Sequence, residues 1–393
     1  MKEMKEKRNR RQFHILLAVS MAILILFADI WFWILPDRAS SETENRNLQQ
    51  FPALTWNTAT SGRFESLFDQ YIADQFPGRD AWIKAEAAIT RMAGNTISHD
   101  IFLAKQGYLI QKFEEPSEEA YAKILEEFTD TAKGAAATGD ISVYALIAPT
   151  AVSMLKDLLP ANAYPVISGD EDAFLDRLFQ DLRIQGILTL DIRPELAALR
   201  DSGAQVYYRT DHHWTTDAAF AAWQAFAEAA NIQRDDTGSD ITSDRYYNRQ
   251  AVSDSFQGTL SASSGYRTSQ TDTIYVYLPE GSGKEPLKYL MINRDTGEKR
   301  ASLYDTSYLE TRDQYALFLG GNHGEVKIQT SADTDRNILV IKDSYANCFI
   351  PFLLPAFQNI LVIDPRYYLG SLDQLITEEQ ITDVLFLYNA GTM

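Results

Sequence analysis

The stretch YYRTDHHWTTDAAF, residues 207–220, sets an aspartate, two adjacent histidines and a tryptophan side by side in a chain with only five histidines. A carboxylate close to an imidazole is the pairing that orients a general base, because the carboxylate accepts Nδ1–H and leaves Nε2 to take a proton. In a locally extended chain, residues two apart project from one side. That spacing pairs Asp211 with His213 and predicts that His212 points the opposite way. The base needs a nucleophile, and NILVIKDSYAN puts Ser344 between an apolar β-branched run and a segment expected to be helical. Free N–H groups at a helix N-terminus stabilise an oxyanion there. TDVLFLYNAG places Asn389 at the end of a similar run. Three alternatives stay open at this level. The Asp–His pair serves equally as a structural hydrogen bond, Asp211, His212 and His213 as metal ligands, and Ser255 in VSDSFQGTL as the nucleophile. Beyond the N-terminal apolar run only His99 and His323 remain as further imidazole partners, and no ligand set has metal spacing, so neither metal nor cofactor is expected. Ser255 lacks a strand-to-helix turn.

Elements able to hold these residues follow from periodicity. ISVYALIAP, ILTLDI, NILVIK, NILVID and TDVLFLYN are short apolar runs of buried-strand type. Helical patterns lie between them, notably from Glu118 to Lys133, in DEDAFLDRLFQDLRIQG and in TDAAFAAWQAFAEAAN. This alternation predicts a parallel sheet with helices on both faces, whose sites form at the carboxyl ends of the strands. FLAKQGYLIQ reads as a hairpin around Gly107. Residues 235–335 differ, with short strands between polar turns, and are expected to form an antiparallel insertion.

The N-terminus sets the compartment. Six Lys/Arg against two Glu give the first 14 residues a charge of +4. An apolar run follows from Ile15 to Leu35, broken chiefly by Asp29, and as a helix it reaches about 30 Å, enough to cross a hydrocarbon core. Basic residues before it predict a cytoplasmic tail (1–14), a signal anchor (15–35) and an outward-facing body joined by a polar, proline-punctuated linker (36–60). The run ends in WFWILPDRASSE, a poor cleavage site. The whole chain carries −18, leaving −22 for the remainder, which argues against nucleic-acid binding. Cys348 is the single cysteine, so no intramolecular disulfide forms.

TDHHWT, together with SETENRNLQQFP, YIADQFPGRD, DSFQGTL and KDSYAN, resembles the bacterial DHHW family, which is similar to the alginate O-acetylation proteins and more distantly to SGNH hydrolases. The resemblance implies one SGNH-hydrolase-like α/β domain over 61–393 carrying the insertion. It also implies a triad of Asp211, His213 and Ser344 in permuted chain order. Asn389 matches the oxyanion asparagine. Arg366 and Tyr367 in DPRYY match a substrate-contact element, and Trp214 and Asn322 (in GGNHGE) are further substrate-site candidates. Lys342 stands where SGNH hydrolases have glycine, and their glycine block is absent from VIDPRYYLG. The implied work is O-acetyl transfer to a cell-surface or exported polysaccharide. A polytopic membrane O-acyltransferase is the implied donor, since the extracellular space lacks acetyl-CoA. An acetylesterase with the same triad and a non-catalytic assembly factor for polymer export are the alternatives.

Overall fold

The computed structural model describes residues 2–41, 46–56, 63–92, 94–161, 163–235, 237–266, 268–279 and 287–393. Residues 42–45 and 57–60 of the expected linker, and 280–286 of the expected insertion, lie outside the described residues. The chain divides into two compact units, Met1–Met92 and Ala93–Met393.

In the first unit one helix runs unbroken over Lys2–Ile34, so the expected basic tail and apolar span are a single element. Its stretch Gln12–Ile34 is long and apolar enough to cross a membrane. Helices Arg63–Gln75 and Arg79–Met92 follow. They belong to this unit and not to the unit that carries Ser344, which starts later than residue 61.

The second unit is built on an eight-stranded mixed sheet. Its strands are β1 (Ser142–Ala148), β2 (Leu188–Leu190), β3 (Tyr289–Asn293) and β4 (Lys299–Arg300). The remaining four are β5 (Glu325–Thr330), β6 (Asn337–Lys342), β7 (Asn359–Ile363) and β8 (Asp383–Asn389). They lie in the order β4-β3-β5-β7-β6-β8-β1-β2. The five from β7 to β2 are parallel to one another. β5, β3 and β4 continue that sheet antiparallel. The expected insertion is therefore not a separate module. Its strands β3 to β5 extend the central sheet, while Tyr247–Phe256 and Asp272–Pro279 pair with each other apart from it.

β6 is buried along its whole length and β8 almost so, which is why these strands read as continuous apolar runs and not as alternating ones. Phe386 on β8 packs against Phe128 of helix α1 (Glu118–Thr138), with ring centroids 4.2 Å apart. On the opposite face Tyr144 of β1 meets Phe226 of helix α2 (Thr216–Ala229) at 5.2 Å. The expectation of helices on both faces is met. α1 runs five residues beyond the expected Lys133, through Ala135–Ala137, which are strong helix formers. The hairpin around Gly107 forms, pairing Ile101–Leu103 with Leu109–Gln111.

At the carboxyl end of β1 a buried carboxylate secures the chain. Glu171 takes the Thr150 N–H and the Thr150 hydroxyl, each at 2.6 Å, while Tyr207 donates its hydroxyl to the Pro149 carbonyl at 2.6 Å. Burial pushes the Glu171 carboxyl up from 4.5 to about 7, against the two Thr150 hydrogen bonds that pull it down. An acid raised on folding binds its proton more tightly in the folded than in the unfolded chain. Its contribution to stability is present below pH 4.5 and lost as pH rises through about 7. Glu171→Gln accepts the Thr150 N–H through its amide oxygen and donates its NH2 to the Thr150 hydroxyl oxygen, without a titrating group. Chemical denaturation across this window should show the parent losing roughly 3 kcal/mol that the variant keeps.

Candidate active site

Three strand ends converge where the sheet order reverses, the position at which open α/β sheets form their crevices. β6 delivers Asp343 and Ser344, β8 delivers Asn389, and β1 delivers Thr150. The segment Gln205–Thr215 crosses these ends before entering α2, whose first turn is capped by the Thr215 hydroxyl accepting from Ala218 N–H.

Asp211 sits at the centre and is 2 % exposed. Its Oδ1 accepts the His213 backbone N–H at 3.0 Å and His213 Nδ1–H at 2.5 Å. Its Oδ2 accepts the Thr259 N–H at 2.8 Å and the Thr259 hydroxyl at 3.0 Å. Burial alone would raise this carboxyl. The neighbouring His212 and His213 imidazoles and the hydrogen bonds from His213 outweigh it and hold the group well below the usual carboxylate range. Gly258 makes room for it, since a Cβ there would lie 2.1 Å from Oδ2. His213 Nε2 lies 2.8 Å from Ser344 Oγ. An Asp–His–Ser hydrogen-bonded chain thus joins residues 131 positions apart.

The expected route to this pairing is corrected in one respect. Asp211 and His213 meet not through extended alternation but through a tight turn in which the carboxylate caps the backbone N–H two residues on. His212 therefore does not point away. Its ring lies 3.9 Å from that of His213, tilted by 36°. The segment after Ser344 is likewise not an α-helix. It forms 3-10 turns over Ser344–Cys348 and Ile350–Leu353, the second with Pro351 in its first turn. Without a long helix, little macrodipole acts at Ser344, and only the local N–H groups of the turn remain.

The other sequence candidates divide. Asn389 reaches the site, but its amide donates to Asp343 at 2.6 Å and to Thr392 at 3.2 Å, so it braces the turn beneath Ser344. Trp214 is fully buried and donates its indole N–H to the Tyr345 carbonyl. Its side chain has no surface open to solvent. Arg366 folds back on Asp364 at 2.9 and 2.6 Å, and Tyr367 is exposed. Asn322 accepts from Lys342 Nζ and from Asn347 at 3.1 Å each. Burial lowers the Lys342 ammonium to about 8. None of these three candidates hydrogen-bonds to the Asp–His–Ser chain among the described residues. Ser255 lies exposed on a strand, with Ser253 as its hydroxyl neighbour. Cys348 is buried and its thiol is pushed up to about 12 by desolvation, which makes it packing and not a reactive group.

Asp211, His212 and His213 each offer a ligand atom, all within 4.8 Å of one another. A metal would have to displace existing partners, because both Asp211 oxygens and both His213 nitrogens are already hydrogen-bonded.

Tyr315 and Thr259 were not singled out by the sequence reading. The Tyr315 ring stacks on His213 at 3.7 Å and 13°, and its hydroxyl donates to the Ser344 carbonyl at 3.2 Å. Nothing in the local pattern of DQYALF marks that tyrosine. Thr259 lies within DSFQGTL, the motif that also carries Ser255.

A family model described as DHHW protein matches residues 88–363. No curated protein matches the chain. The chain is similar in structure to a DHHW family protein from Eubacterium siraeum, with TM-score 0.58 and 23% identity over 72% of this chain and 88% of that one. It is also similar to Bacillus cereus PatB1, solved with a sulfonyl adduct, with TM-score 0.59 and 17% identity over 74% and 93%. The O-acetyltransferase domain of Pseudomonas putida AlgJ gives a TM-score of 0.43 and 14% identity over 74% and 90%.

A hydroxyl hydrogen-bonded to a carboxylate-oriented imidazole reacts with electrophiles. A sulfonyl fluoride should add one sulfonyl group to the chain by intact mass, with the label mapping to Ser344 and absent from Ser344→Ala. His213→Ala should label about 10²- to 10⁴-fold more slowly, the range that positioned general bases supply.

Proposed function

This chain belongs to the DHHW protein family, and from that premise we propose that it transfers acyl groups, acetyl foremost, to hydroxyls of a cell-surface or exported polysaccharide. The observation that carries this reading is the unbroken hydrogen-bond chain from Asp211 through His213 to Ser344. The motif resemblance to the alginate O-acetylation proteins supports acetyl as the group and a polysaccharide as the acceptor.

The chemistry follows from the geometry. His213 Nε2 takes the Ser344 Oγ proton as Oγ attacks the acyl carbonyl, and Asp211 stabilises the imidazolium on its Nδ1 side. The first N–H groups of a helical turn have no partner within it. That of Ser344 is the donor for the oxyanion, with Asn389 and Asp343 holding the turn in place. The carbonyl re-forms, the leaving group takes the proton from His213, and an acyl-serine ester remains. A sugar hydroxyl then gives its proton to His213 Nε2 as its oxygen attacks the ester. The bond to Ser344 Oγ breaks and the same proton returns to Oγ, which regenerates the enzyme.

The helix over Gln12–Ile34 supports an anchored protein whose basic N-terminal tail stays inside and whose catalytic body faces outward. The acyl donor on this reading is a polytopic membrane O-acyltransferase. Asp29, exposed within the apolar stretch, is a docking point for it, because an ionisable group in hydrocarbon is costly until paired.

The test uses the purified full chain in detergent with p-nitrophenyl acetate. The expected result is a gain of one acetyl by intact mass and release of nitrophenol, both lost in Ser344→Ala and slowed by at least about 10² in His213→Ala. Added oligosaccharides should accept the acetyl group faster than water does. Faster loss to water would make the protein an esterase. Parent and variants behaving alike would overturn the catalytic reading in favour of polymer binding.

A further inference from the structure

A cleft of about 260 Å³ opens beside the Asp–His–Ser chain, lined among others by Lys112, Thr150, His212, Leu260 and Tyr345. His212 is the imidazole of the TDHHWT turn that the mechanism leaves unused. Its protonation pattern can be worked out from its neighbours. The Thr259 hydroxyl has a single proton, and it lies 3.0 Å from Asp211 Oδ2, an ionised oxygen that can only accept. The Thr259 oxygen is therefore left to accept from His212 Nδ1, 3.0 Å away on its other side. A neutral imidazole has one N–H, so His212 Nε2 is a bare acceptor. Burial, with His213 beside it, keeps His212 neutral by lowering it to about 4. Its Nε2 has no protein partner among the described residues, although the side chain is only 31% exposed. An acceptor so placed at a cleft wall is met by water until a substrate donor replaces it.

The direction of that acceptor follows from the same contacts. Both Nδ1 atoms lie on the Asp211 side, His213 at 2.5 Å and His212 at 3.7 Å from Oδ1. The ring centroids are 3.9 Å apart with the planes tilted by 36°, so each ring turns its Nε2 away from Asp211, the direction in which His213 meets Ser344. Once Ser344 carries an acyl group its Oγ has no proton to give. The site then offers two neighbouring acceptors and no donor between them.

Resting on the transferase reading, we propose that the acceptor is recognised as a vicinal diol. One hydroxyl gives its proton to His213 Nε2 and attacks the ester, while the adjacent hydroxyl donates to His212 Nε2 and sets the orientation of the pair. His212 is thus a specificity-determining residue for sugars with two adjacent free hydroxyls. A simple alcohol, or a sugar deoxygenated at the neighbouring carbon, brings His212 no donor.

The experiment acetylates the full chain in detergent with p-nitrophenyl acetate, follows acetyl-Ser344 by intact mass, and then offers trans-1,2-cyclohexanediol or cyclohexanol at equal concentration. The parent should transfer to the diol up to about tenfold faster, the net effect of one neutral hydrogen bond. His212→Phe should bring the ratio down to about two, the statistical factor for two hydroxyls in place of one when that bond is lost. His212→Gln, which places an acceptor oxygen near the position of Nε2, should recover most of the preference. Acetyl-serine formed in the parent without a diol preference, or a preference that survives in His212→Phe, would overturn the inference while leaving the transferase reading intact. Failure of the parent to form acetyl-serine at all would overturn both.

Discussion

Everything at the site depends on how the Asp211 carboxylate is satisfied. A buried carboxylate is costly unless its lone pairs are met, and here four hydrogen bonds meet them. Two come from its own turn and two from Thr259, 48 residues further along the chain. The first pair fixes the tautomer and direction of His213, and the second fixes that of His212. One ion therefore orients both imidazoles, and it can be reached by Thr259 only because Gly258 has no side chain. The cost of burying the charge is offset by the order it imposes, as expected for polar networks that are fully connected.

The sheet performs the complementary task of bringing Ser344 to that imidazole. β6 and β8 lie parallel and adjacent, so their carboxyl ends open on the same edge. Asp343 binds Asn389 through both its backbone N–H and its amide, and so ties the two strand ends together. Tyr315 fastens the same place from above, one group on the His213 ring and one on the Ser344 carbonyl. The distance between base and hydroxyl is therefore set by strands and stacked rings and not by a mobile loop. That is the kind of support a proton transfer requires.

Polar groups packed beside the site illustrate the same economy. Lys342 would be an expensive buried cation, yet Asn347 and Asn322 accept from it and Asp364 lies 3.7 Å away. Arg366 completes the Asp364 carboxylate from the other side. Sequence candidates for substrate contact, Asn322 and Arg366, thus hold a charge network together at the ends of β6 and β7.

The sequence by itself determined the strands, the main helices and the membership of the pair Asp211 and His213. Each of these is written in local pattern: continuous apolar runs mark buried parallel strands, a 3.6-residue period marks α1 and α2, and a carboxylate two residues from an imidazole marks the pairing. It also marked Ser344, because a hydroxyl directly after a buried strand falls at a carboxyl end by topology. What it could not supply were contacts between segments distant in the chain. Tyr315 looks like any aromatic until the fold lays it on His213, and Thr259 becomes meaningful only where a turn 48 residues away needs its donors. Extension of the sheet by β3, β4 and β5 was hidden for the same reason, since strand pairing order leaves no local periodicity. The direction of His212 was decided last of all. Alternation in an extended chain turns it away, and only the side-chain cap within a tight turn, locked by a threonine from elsewhere, sets its ring beside that of His213.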